Sequence, residues 1–117
     1  MPDMALDSPP DLDVARVERW CRVRVPEGVR NELRIECEVS GRDITILERR
    51  QGWDLGAGNW MTSAVARLRY LKSRRVWRLY WRDSDGQWHE YPELPFSTSV
   101  GELLEELDRD PTALFWG

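Results

Sequence analysis

The chain has 117 residues, 41% of them hydrophobic, and a formal net charge of −4 at pH 7. That length suits one domain with a core of its own, and the apolar share excludes a chain disordered over most of its length. The negative balance argues against a general nucleic-acid binder, whose phosphate contacts normally make it basic.

Residues 1–10 hold three Pro and two Asp and read as a loose tail, leaving 11–117 as a single α+β domain. The tail has acids where a signal peptide needs Lys or Arg, and no segment approaches the length of a membrane span. A reducing cytoplasm is the default location. A first helix is expected to start near Ser8 or Asp11, with Val14, Val17 and Cys21 at helical spacing, Trp20 across the stripe, and Pro26 and Gly28 ending it. Cys21 and Cys37 form no CxxC pair, so they read as small buried hydrophobes rather than as a bridge or metal ligands.

The period then changes to two. Leu33, Ile35, Cys37 and Val39 alternate with Arg34, Glu36 and Glu38, a half-buried strand that turns at Ser40–Asp43 and returns through Ile44–Leu47. After a Gly-containing loop with Trp53 and Trp60 at its ends, further strands are expected at about 63–71, 76–82 and 87–91. Ser99 and Glu102 match a capping box for a second helix that carries Leu103, Leu104 and Leu107 on one face and stops at Pro111. The terminal Ala113–Gly117 is apolar enough to dock onto the core. The plan is a five-stranded antiparallel meander with an N-terminal and a C-terminal helix packed on one face.

Treating both links after residue 71 as four residues long sets a register. Leu71 then faces Val76, Tyr70 faces Trp77, Arg69 faces Arg78 and Arg67 faces Tyr80. In the next hairpin Trp81 faces Trp88, Tyr80 faces His89 and Arg78 faces Tyr91. This register predicts a core face of Ala66, Leu68, Tyr70, Trp77, Leu79, Trp81 and Trp88. It predicts an outward face of Arg67, Arg69, Arg78, Tyr80, Arg82, His89 and Tyr91, the candidate binding residues.

Charge is segregated around that face. Residues 55–82 carry seven basic side chains and no acid, whereas 83–117 carry nine carboxylates against Arg109 alone. Arg69 across from Arg78 is a like-charge pair that needs negative charge nearby. Glu36, Glu38 or the acidic second helix can supply it internally; otherwise an external acidic partner does. The second helix must turn its leucines toward the core, which points its carboxylates away from the basic face and makes the molecule bipolar.

Signs of catalysis are sparse. His89 is the only His, and no Ser or Cys stands beside it at a spacing that suggests a nucleophile. No metal-ligand spacing occurs, and Gly56-Ala57-Gly58 lacks the GK[ST] of a phosphate loop and the third Gly of a dinucleotide fingerprint, so no cofactor is expected.

The stretch ARLRYLKSRRVWRLYWRD, then WHEY and the terminal FWG, resembles a family of small bacterial proteins catalogued as a domain of unknown function, number 3024 in that series. The resemblance runs from about Val14 to Gly117 and implies no activity, cofactor or partner. The expected role is a non-enzymatic binding or accessory protein whose Arg/Tyr face meets an acidic protein surface or a second copy. The alternatives are single-stranded nucleic acid on the same face, and a small-molecule binder or enzyme using the 53–60 loop and His89.

Overall fold

A computed structural model describes residues 8–52 and 59–116 of the chain. Residues 1–7 of the expected tail, Gly117, and the Trp53–Gly58 part of the loop lie outside the described residues. Helix α1 (Asp11–Arg24) opens with Asp11 and Asp13 and closes with Arg22 and Arg24, charges that complement its dipole at both ends. A short 3-10 turn (Glu27–Val29) follows, in keeping with the stop expected at Pro26 and Gly28. Strands β1 (Leu33–Ser40), β2 (Asp43–Gln51), β3 (Trp60–Leu71), β4 (Val76–Arg82) and β5 (Trp88–Glu90) form one antiparallel sheet in sequential order. Helix α2 (Val100–Arg109) completes the fold. None of the described helices is long and apolar enough to cross a membrane.

Both helices cover one side of the sheet. Val17 and Cys21 from α1, and Val100, Leu103, Leu104 and Leu107 from α2, meet Ile44, Ile46, Ala66, Leu68, Trp77 and Leu79 in a continuous buried core. Phe115 docks on the same core, and Trp116 packs at its margin. The Asp110 carboxylate holds this C-terminal segment by accepting the backbone N–H groups of Phe115 (3.2 Å) and Trp116 (2.9 Å). The two helices are tied by Asp108, which accepts from the Trp20 indole (3.2 Å) and from Arg24. Arg24 in turn stacks on Trp20 and Trp116.

The capping box does not form at α2. Ser99 makes no side-chain cap, and Glu102 instead accepts from the Ser97 hydroxyl, which itself accepts the Ser99 N–H at 3.0 Å. Ser97 is fixed by exchanging backbone hydrogen bonds with Trp77 on β4 (2.7 and 2.9 Å), so the cap is displaced to the residue the sheet already holds.

The β3–β4 hairpin has the register that its four-residue link predicts, from Ala66↔Trp81 to Leu71↔Val76. The β4–β5 hairpin does not. Its pairs are Tyr80↔Glu90, Trp81↔His89 and Arg82↔Trp88, one residue away from the expected set. The cause is the turn. Asp83 and Gln87 pair across Ser84-Asp85-Gly86, Gly86 takes φ +84°, and the Asp83 carboxylate accepts the N–H groups of Asp85 and Gln87 at 2.9 Å each. A three-residue link with a left-handed Gly replaces the four-residue one, and a one-residue shift exchanges the two faces of the strand. Trp88 is therefore on the uncovered face, not in the core, while His89 and Tyr91 project to the helix side.

Candidate functional site

Among the described residues, no helix or strand covers the side of the sheet away from the helices, called here the open face. A β-bulge at Val65 shapes it: Ile46 pairs with Ala66 but Leu47 pairs with Ala64, so β3 offers Trp60, Thr62 and Ala64 to the open face before the bulge and Arg67 and Arg69 after it. Six arginines occupy this face among the described residues, namely Arg34, Arg49, Arg67, Arg69, Arg78 and Arg82, with the carboxylates Glu36, Glu38, Asp43 and Glu90 between them.

Aromatic rings organise the arginines. Trp60 lies under Arg34 (4.5 Å from guanidinium carbon to ring centroid) and Arg49 (5.6 Å). Trp88 lies between Arg67 (4.4 Å) and Arg82 (5.8 Å), and Arg69 stacks on Tyr80 (5.2 Å). Such stacking holds a cation over a flat ring while leaving its N–H edge able to donate.

Three of the six are also paired with acids. Asp43, directly opposite Arg69, accepts two hydrogen bonds from it at 2.7 and 3.1 Å, and this bonding raises the Arg69 pKa above its ordinary value. Glu90 meets Arg78 at 2.5 Å, and Glu36 meets Arg49 at 3.2 Å. The like-charge contact of Arg69 and Arg78 is thus relieved by Asp43 and Glu90 rather than by the second helix. Arg34, Arg67 and Arg82 have no carboxylate within salt-bridge distance among the described residues.

The acidic helix stays on its own side. Asp108 pairs with Arg24, Glu106 with Arg109 and Tyr91, and Glu102 with Ser97. None of these carboxylates pairs with an arginine of the open face, so they lie on the helix side, as expected from the leucine stripe. A groove of about 560 Å³ does run between the helices. Its walls set Arg16 and Arg19 against Glu102, Glu105 and Asp108, charges that offset one another.

Of the residues singled out from sequence, Arg67, Arg69, Arg78, Tyr80 and Arg82 share the open face. His89 and Tyr91 do not, for the register reason given above. Tyr91 is fully buried and donates its hydroxyl to Glu106 (2.8 Å). His89 stacks on Trp81 (4.8 Å between centroids), and its Nε2 is 2.6 Å from Asp83. That contact, with the Gln87 N–H, keeps the Asp83 carboxyl below its usual range. Trp60 and His89 leave opposite faces of the sheet, so they do not converge on one site. Residues not assigned to this face from sequence are Arg34, Arg49, Trp60 and Trp88, with Asp43 and Glu90 as their acidic neighbours. The Ser84-Asp85-Gly86 turn was the available signal for Trp88 and Glu90.

The family described as Domain of unknown function (DUF3024) matches residues 6–117, and the chain belongs to it. No curated protein and no solved structure matches the chain.

Proposed function

We propose that this protein is a non-enzymatic binding module that engages an acidic protein surface through the open face of its sheet. The observation that carries this is the set Arg34, Arg67 and Arg82: three arginines without carboxylate partners among the described residues, each held over a tryptophan ring. Guanidinium edges presented in fixed positions match carboxylates bidentately, and the stacking lowers the entropy lost on binding. Tyr and Trp with Arg are also the residues that dominate protein interfaces. Cys21 and Cys37 are free thiols, which suits the reducing cytoplasm we infer as the setting.

Single-stranded nucleic acid is the second reading, favoured by the presence of Trp60, Tyr80 and Trp88 on one face, where bases could stack. One feature weighs against it: arginines already cover the Trp rings on which bases would stack.

A tryptophan-fluorescence titration with a poly-glutamate peptide and with a mixed-sequence oligonucleotide, each at low and moderate salt, separates the two. The expected result is saturable binding of the peptide, weakened about tenfold or more in Arg67→Ala/Arg82→Ala, comparable to losing one charge-assisted hydrogen bond. Oligonucleotide binding whose salt slope drops by about one per arginine removed would support the second reading instead. Sedimentation of the protein alone at low salt checks whether a second copy, through its acidic helix, serves as the partner.

A further inference from the structure

We propose that Cys21 and Cys37, which line one surface pocket where α1 packs on β1, form a thiol–disulfide exchange site open to a low-molecular-weight disulfide. The pocket has a volume of about 360 Å³ and is lined by Glu18, Cys21, Arg22, Ile35, Glu36 and Cys37. The two cysteines differ in access. Cys21 lies in the buried stripe of α1, whereas Cys37, opposite Ile46 on β2, is half-exposed.

The asymmetry sets their roles. Cys37 is the sulfur within reach of the pocket, and its neighbour Cys21 lowers its pKa, whereas Cys37 and burial raise that of Cys21; Glu18 and Glu36 oppose a thiolate here and Arg22 favours one. Cys37 is then the attacking sulfur, since the thiolate is the nucleophile. It attacks one sulfur of a disulfide R–S–S–R, forming Cys37–S–S–R and expelling RS⁻. Cys21 loses its proton to the released thiolate and attacks the Cys37 sulfur, expelling the second RS⁻. The protein gives up two electrons and two protons, and two RSH leave. The product bond would pin the C-terminal half of α1 to β1, an edge strand of the sheet.

The test is to incubate the full-length protein with oxidised glutathione, quench with acid, and map peptides without reduction. The expected product is an intramolecular Cys21–Cys37 cross-link that dithiothreitol reverses. In Cys21→Ala a mixed disulfide should accumulate on Cys37, and in Cys37→Ala the remaining thiol should stay unmodified. In the reduced wild-type protein, iodoacetamide should label Cys37 at least about tenfold faster than Cys21. No modification, mixed disulfides without the internal cross-link, or cross-links only between molecules would each overturn the proposal. The wild-type peptide map decides the matter even if a variant does not fold.

Discussion

Replacing Trp77 with Ala should destabilise the protein by about 3–5 kcal/mol, the usual cost of deleting a large buried aromatic. Trp77 is fully buried, packs against Tyr70 with ring centroids 5.2 Å apart and planes tilted by 52°, and donates its indole N–H to Asp13 at 3.2 Å. The substitution therefore opens a cavity under both helices and also leaves Asp13 without that donor. Trp88→Ala should behave differently. Its ring is only half-buried and is held between two guanidiniums on the open face, so its loss should cost about 1 kcal/mol. Urea denaturation of the two variants beside the wild type measures both. Equal losses would mean that Trp88 belongs to the core and that the β4–β5 register is wrong.

Tyr91→Phe should cost about 1–3 kcal/mol despite the near-identical shape of the two side chains. The Tyr91 hydroxyl donates to Glu106, a buried carboxylate whose other partner is Arg109 at 2.8 Å, and the ring lies 5.0 Å from Phe115. Phe would fill the space and leave the carboxylate short of a donor. The effect should also depend on pH. Burial, chiefly, raises the Tyr91 phenol above its ordinary value of 10.0. A group whose folded pKa is raised contributes fully below its unfolded pKa and loses that contribution as pH rises through the folded one. The wild-type advantage over Tyr91→Phe should therefore be constant near neutrality and shrink above about pH 10. Denaturation curves at neutral and strongly alkaline pH check it; an advantage that grows with pH would reverse the assignment.

The architecture was legible because its signals are local. Period-two alternation, a four-residue link at Lys72–Arg75 and a leucine stripe at helical spacing each point to one arrangement. The β5 run Trp88-His89-Glu90-Tyr91 is different, because an aromatic stands at both parities. Either register puts one aromatic in the core and one outside, so the apolar pattern does not choose; the left-handed Gly86 does. The bulge at Val65 left no sequence mark, since Val65 and Ala66 are both apolar and both buried, and so Trp60 was not connected to the arginines. Cys21 and Cys37 come to line one pocket through the packing of a helix on a sheet, which no spacing rule encodes.

The sequential strand order also governs how fast the chain can fold. Each sheet neighbour is the next strand along, so the hairpins close short loops and need not wait for distant segments. The contacts of α1 are exceptions, as Asp13 meets Trp77 64 positions away and Trp20 meets Asp108 88 positions away. Docking of α2 against α1 should then come after the barrier. Removing the clasp with Asp108→Ala should accelerate unfolding and leave the refolding rate nearly unchanged, and the two limbs of a chevron plot would display that asymmetry. A slowed refolding limb would instead place the meeting of the chain ends in the nucleus.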